Sequence, residues 1–300
     1  MTRPPIVRAV LAITLVAMPA HAQDPALVFR AGTDVVSVEV SVRHDRRAIA
    51  GLKAADFELL DNGVRQDISE VSYEKLPIDV TVLLDVSASV TGSALDELRR
   101  ALRQLRADLG RQDRLRLLTF NMRVKRVVDF TDPSPAADAA LASLAGSGSS
   151  AIFDSLAVAL VSPTTAGRRQ LIVLFSDGQD SSSVTDLETL LDVARRSTPT
   201  VAVVLASPSL QRTSSLLRHT QKSVGEVAHQ VAADTGGFVA TIAPGENLTS
   251  TFRRVLEQFR ASYVLYFTPR GVDAKGTHTL EVRVKREKVE VRSRRGYAWR

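Results

Sequence analysis

The sequence predicts an α/β protein: a doubly wound, mostly parallel, Rossmann-like sheet inserted in a small β-sandwich-like domain made of the N- and C-terminal segments. Three observations predict it. Between residues 76 and 260, apolar runs of strand length alternate with stretches of helical periodicity, as in a sheet covered by helices on both faces. The flanking segments, 24–75 and 261–300, show period-two alternation instead, the mark of half-buried strands. Neither flank has enough apolar residues for a core of its own, and chain ends often lie close in space, so the two are expected to pack together.

In chain order, residues 1–22 come first. Arg3 and Arg8 precede an apolar run over 9–18 and then Ala20-His21-Ala22. This is the pattern of a secretory signal, cut after Ala22, and the run is short of the ~20 residues that span a bilayer. The mature chain is therefore expected to be exported, to the periplasm or the medium, with no transmembrane segment. Loss of Arg3 and Arg8 lowers the formal charge from +6 to +4.

In the segment 24–75, Val36, Val38, Val40 and Val42 alternate along one strand face. Asp61-Asn62-Gly63 is a hairpin turn signal, since Asn and Gly tolerate positive φ. Phe57 and Leu59 lead into it, and Ile68, Val71 and Tyr73 lie beyond.

In the segment 76–260, IDVTVLLD, LRLLTF, VKRVVDF, QLIVLFSD, TVAVVLA and FVATI read as strands. Leu95, Leu98, Leu102, Leu105 and Leu109 form one helical stripe, and Gly110 stands where that helix should stop. AIFDSLAVAL, VTDLETLLDVARR, SVGEVAHQVAADTGG and ENLTSTFRRVLEQFR fill the later helical slots, and Asp132-Pro133 looks like a further helix start. The polar stretch 207–222 reads as an insertion or a short helix. The sequon at Asn247 reads as accidental in a bacterial-looking export context.

In the segment 261–300, SYVLYFTP, THTLEVRVK and VEVRSRRGY read as strands. Val282, Val284, Val289 and Val291 alternate with charges and suggest a hairpin with one solvated face. Residues 281–300 hold eight Lys/Arg against three Glu. That excess reads as protection of exposed strand edges rather than a nucleic-acid surface. Trp299 is expected to pack on the sandwich.

Composition narrows the chemistry. With 44% hydrophobic and 24% charged residues the chain is an ordinary globular protein, and it has no cysteine, which excludes disulfides, thiolate metal sites and cysteine nucleophiles. The five histidines, His21, His44, His219, His229 and His278, offer no acid–base pair, and no G-x-S-x-G elbow occurs. No catalytic residue is expected.

One motif remains. In DVSASV an apolar strand stops at Asp85, followed by Ser87 and Ser89. In a doubly wound sheet, ligands bind beyond the carboxyl ends of the strands. A second strand, QLIVLF, ends in Ser176-Asp177-Gly178, and the loop AGSGSSAIFDSL places Ser149 or Ser150 ahead of a helix. Carboxylates and hydroxyls are hard oxygen donors, suited to Mg²⁺, with Mn²⁺ or Ca²⁺ as further candidates, rather than Zn²⁺.

This order of motifs resembles the metal-ion-dependent adhesion site of von Willebrand factor type A domains, over about 185 residues. The wider layout is similar to a bacterial exported group related to that family. The resemblance implies that Ser87, Ser89 and Ser150 bind the metal directly, while Asp85 and Asp177 act mostly through water. It departs at one point, where the family's Thr is Ser here, which keeps the hydroxyl and loses the methyl that stiffens the rotamer. The implied function is binding: an open metal position that takes an Asp or Glu carboxylate of a protein partner, for adhesion or assembly. The alternatives are a metal-dependent hydrolase or phosphatase on a Rossmann-like fold, and a structural domain whose metal site is empty. Haloacid dehalogenase-like phosphatases carry a second Asp two residues after the first, where this chain has Ser87.

Overall fold

The computed structural model describes residues 35–73, 76–88, 90, 92–131, 134–176, 180–205, 224–242 and 246–299. The expectations for the signal segment 1–22, for the stretch 207–222, for Asp132-Pro133 and for Ser89 and Asp177 fall outside them.

The first strands are β1 (Val36–His44), β2 (Arg47–Ala48), β3 (Phe57–Asp61), β4 (Val64–Gln66) and β5 (Ile68–Tyr73). Asn62 and Gly63 take φ of 47° and 79° between β3 and β4, the left-handed pair that a tight hairpin turn needs. Next come β6 (Ile78–Asp85), α1 (Gly92–Ala107), β7 (Arg114–Phe120), β8 (Val124–Val128), α2 (Ser134–Ala142) and α3 (Ile152–Val161). They are followed by β9 (Arg169–Ser176), α4 (Leu187–Arg196), β10 (Thr200–Leu205), α5 (Val224–Thr235), β11 (Phe238–Thr241) and α6 (Leu248–Arg260). The chain closes with β12 (Tyr263–Phe267), β13 (Gly276–Val284), β14 (Glu290–Ser293) and β15 (Gly296–Trp299).

Strands β6 to β11 form a six-stranded sheet in the order β11-β10-β9-β6-β7-β8. Every pairing is parallel except that of the edge strand β8. Strands β6, β9 and β10 are buried along their whole length, which explains the apolar runs at their centres. Their side chains feed two cores. Val80, Val82 and Leu84 face α1 and α6. Leu83, Ile172 and Leu174 face α3, α4 and α5.

Chain direction across the sheet reverses between β6 and β9: from β6 the chain moves first to β7 on one side and later to β9 on the other. Such a switch point leaves a crevice above the carboxyl ends of the two strands. Leu84 pairs with Phe175, so Asp85 and Ser176 sit side by side at its rim.

The flanking strands form two further sheets, β14-β1-β12-β5 with β2 beside β1, and β15-β13-β3-β4. Each combines strands from both chain ends. Val38, Val40 and Leu265 of the first sheet share a core with Leu59, Leu280 and Val282 of the second. Trp299 packs against this core, with its ring centroid 5.7 Å from that of His278 in an edge-on arrangement. Asn247 has a structural task, since its side chain accepts the Ser250 N–H and caps α6.

The expected hairpin of Val282, Val284, Val289 and Val291 does not form. Val282 pairs with Leu59 on β3, whereas Val291 pairs with Val42 on β1. The turn after β13, with Lys288 at φ 57°, carries the chain from one sheet to the other. Each sheet buries one face against the same core, so the alternation looks identical to that of a hairpin.

One buried side chain ties the sandwich to the α/β sheet. Arg169 at the start of β9 is 4% exposed and grips Glu39 of β1 with two bonds of 2.9 and 2.7 Å. It also donates to the carbonyls of Phe259 and Arg260 at the end of α6, where a cation is favoured by the helix dipole.

Candidate metal centre

Asp85 ends β6 fully buried. A carboxylate without solvent needs hydrogen-bond donors, and three supply them. The Ser87 N–H donates to Oδ1 at 2.9 Å, closing a tight Asx-type turn. The hydroxyls of Ser150 and Ser176 donate to Oδ2 at 2.6 and 2.9 Å.

Two loops hold these groups in place. The Ala88 N–H donates to the Gly148 carbonyl and the Ser147 N–H to the Val86 carbonyl, at 3.0 and 2.8 Å. The loop after β6 is thereby stitched to the loop before α3. Gly146 permits the contact, because a Cβ there would lie 2.2 Å from the Val90 carbonyl oxygen and 2.7 Å from that of Ser87. From the other side, the Ser181 and Ser182 N–H groups donate to the Ser150 carbonyl at 2.8 and 3.2 Å.

The start of α3 is fixed by two acids. Asp180 accepts the Ile152 N–H at 2.7 Å, satisfying a donor that the helix leaves open. Asp154 accepts the N–H groups of Thr185 and Val184 at 2.7 and 3.0 Å. Burial acts to raise the Asp154 pKa, but the bonds from Thr185 and Val184 outweigh it and hold the group below the usual carboxylate range.

The structure thus brings Ser87 and Ser150 to Asp85, while Ser89 and Asp177 lie outside the described residues. It also separates the two candidate serines of the α3 loop. Ser149 is exposed, and Ser150 is 5% exposed and bound to Asp85. Sequence reasoning missed Ser176. The available signal was a single small hydroxyl closing the apolar run 171–175 beside a second strand that ends in an acid. Asp180 was missed as well, since nothing in GQDSSS announces a cap for a helix nearly thirty residues earlier.

Among the described residues, no three His, Cys, Asp or Glu side chains gather as metal ligands. The donor set here is of another kind, hydroxyls around one carboxylate. A serine that gives its proton to a carboxylate keeps its lone pairs for a cation, and Ser150 is placed in that way. Ser182, whose N–H meets the Ser150 carbonyl, has a buried hydroxyl without a hydrogen-bond partner among the described residues. Oxygen-only donors with spare acceptor capacity fit a hard divalent ion.

The model of the von Willebrand factor type A domain family matches residues 79–252. No curated protein matches the chain. Among solved structures, it is similar to a von Willebrand factor type A protein from Catenulispora acidiphila, with 11% identity, 91% of this chain and 76% of that one covered, and a TM-score of 0.49. It is similar to an aerotolerance-related membrane protein from Bacteroides fragilis, with 17% identity, 61% and 98% covered, and a TM-score of 0.46. It is also similar to proximal thread matrix protein 1 from the mussel byssus, solved with a zinc-occupied MIDAS motif, with 14% identity, 65% and 48% covered, and a TM-score of 0.48.

Proposed function

The chain belongs to the von Willebrand factor type A domain family, and from that premise we propose that it is an exported protein-binding module. In this reading, its α/β domain spans residues 76–260, and a divalent cation at the switch point captures an Asp or Glu carboxylate of a partner protein. Ser87, Ser89 and Ser150 would hold the ion, with Asp85 and Asp177 acting through water. When bound, such an ion offers an open position to a foreign carboxylate oxygen. Neutral hydroxyls compensate little of its charge, so its attraction for that carboxylate stays strong.

The observation that supports this most is the meeting of Ser150 and Ser176 on the buried Asp85 carboxylate. The chain's own residues do the preparatory work. Asp85 orients the hydroxyls, and the loop at 180–183 fixes Ser150 by its backbone. Mg²⁺ is the favoured ion and Mn²⁺ the next.

Calorimetric titration with Mg²⁺ and Mn²⁺ tests the site. Heat with the native chain and its loss in Ser87→Ala is the expected result, whereas absence of heat with both ions rejects it. Capture from an envelope extract in Mg²⁺ but not in chelator tests the role in binding. Phosphatase and esterase assays are expected to show no Mg²⁺-dependent turnover, and clear turnover would favour an enzyme.

A further inference from the structure

Helix α3 breaks the pattern of the other helices. A surface helix normally turns charged residues to water. Helix α1 does so with Asp96, Arg100 and Arg103, and α4 with Glu188, Arg195 and Arg196. In α3 the outward positions after Asp154 are Val158 and Val161, 43% and 68% exposed. The spacing of 154, 158 and 161 puts all three on one helix face.

Val184 extends this strip. It is 93% exposed, and its N–H is fixed to Asp154, so the residue sits beside the start of the same face. Met122, 63% exposed, lies on the other flank of the candidate metal centre. A Cβ on Gly148 would meet the Met122 Cγ at 3.8 Å, and the neighbouring Asn121 carbonyl accepts the Ala151 N–H. Six large apolar side chains are strongly exposed among the described residues. Four of them border this centre or run away from it along α3, and such a concentration marks a contact surface. Arg123, next to Met122, is exposed, and its positive charge favours a negatively charged group at this rim.

We propose that the partner presents an extended segment in which the captured Asp or Glu is followed within a few residues by aliphatic side chains. The carboxylate goes to the centre beside Arg123 and the aliphatic side chains lie on Val184, Val158 and Val161. This inference rests on the metal-centre reading and adds the chemistry of the partner. From Asp154 to Val161 the helix rises about 10 Å, the reach of about three residues of extended chain.

The test uses two fluorescent ten-residue peptides, each with one central Glu, flanked by Val and Ile in one and by Ser in the other. Binding is measured by polarisation in Mg²⁺ and in chelator, on the native chain and on a Val158→Asp, Val161→Asp double variant. The aliphatic peptide should bind at least about tenfold more tightly in Mg²⁺. The double variant should erase that difference while its Mg²⁺ titration heat stays unchanged. Equal binding of both peptides by a chain that binds Mg²⁺ overturns this inference and leaves the metal centre standing. A native chain that binds no Mg²⁺ overturns both. Concentration-dependent sedimentation of the native chain, abolished in the double variant, assigns the strip to a second copy and overturns it too.

Discussion

The Ser150 hydroxyl donates to the Asp85 carboxylate at 2.6 Å, joining residues 65 positions apart. Both are buried, so the bond has no water to replace it. Removing one partner of a buried charged hydrogen bond costs about 1–3 kcal/mol. Ser150→Ala is therefore expected to lower stability to urea by that amount and to abolish the Mg²⁺ heat. Ser150→Thr keeps the hydroxyl and should restore both. If Ser150→Ala still binds Mg²⁺ like the native chain, Ser150 is not a ligand.

Gly146 decides whether the two loops of the centre can meet. Any side chain there would collide with the carbonyl oxygens of Val90 and Ser87, both backbone atoms with little freedom to yield. Gly146→Ala should displace the Ser87 loop and weaken Mg²⁺ binding by at least about tenfold. The sheet, some distance below, should lose only about 1–2 kcal/mol. Calorimetry alongside urea unfolding separates the two effects, and unaltered Mg²⁺ affinity would show that the loop tolerates the methyl group.

Much of this was legible in the sequence because it depends on local pattern. The alternation of Val38, Val40 and Val42 is the sandwich face itself, and the Asn62-Gly63 turn is read from two residues with positive φ. Strand β6 announces its end, since Asp85 follows the apolar run Val82-Leu83-Leu84. What was not legible depends on contacts between distant segments. The burial of Ser150 beside an exposed Ser149 is set by Asp85 and by the loop at 180–183, neither of which changes the local spelling of GSGSS. The crossing of the tail between two sheets is hidden because both sheets share one core. The Arg169–Glu39 link joins residues 130 apart, and no periodicity marks it.

That link predicts a large effect far from the candidate metal centre. Arg169 is gripped by Glu39 and by the final carbonyls of α6, so its loss leaves the partly buried Glu39 carboxylate without its counter-charge. Arg169→Met should cost about 3–5 kcal/mol, measured by urea unfolding. Replacing both residues, as in Glu39→Met with Arg169→Met, should recover part of the loss, because no uncompensated charge then remains. An additive double variant would mean that the pair is not coupled.

Acid stability follows from Asp79 at the start of β6. It is 1% exposed and accepts bonds from Arg114 at 2.8 and 2.5 Å, from Arg168 at 2.6 Å and from Gln170 at 3.3 Å. Burial acts to raise its pKa, but the bonds from Arg114, Arg168 and Gln170 outweigh it and hold the carboxyl below its usual value. A carboxyl whose pKa is lowered in the folded state binds its proton less readily there than in the unfolded chain. Its stabilisation is complete above the unfolded pKa of about 3.9 and is lost as pH falls through the lower folded value. Asp113 and Asp154 are lowered in the same direction and add to the effect. Stability should therefore hold from about pH 7 to about pH 5 and fall steeply below about pH 4. Asp79→Asn should cost about 3 kcal/mol at neutral pH, since it leaves two arginines without their buried counter-charge. Its curve should then decline less steeply in acid and approach that of the native chain near about pH 2. A gap between the two curves that stays constant from neutral pH into acid would mean that the Asp79 charge is not what the arginines stabilise.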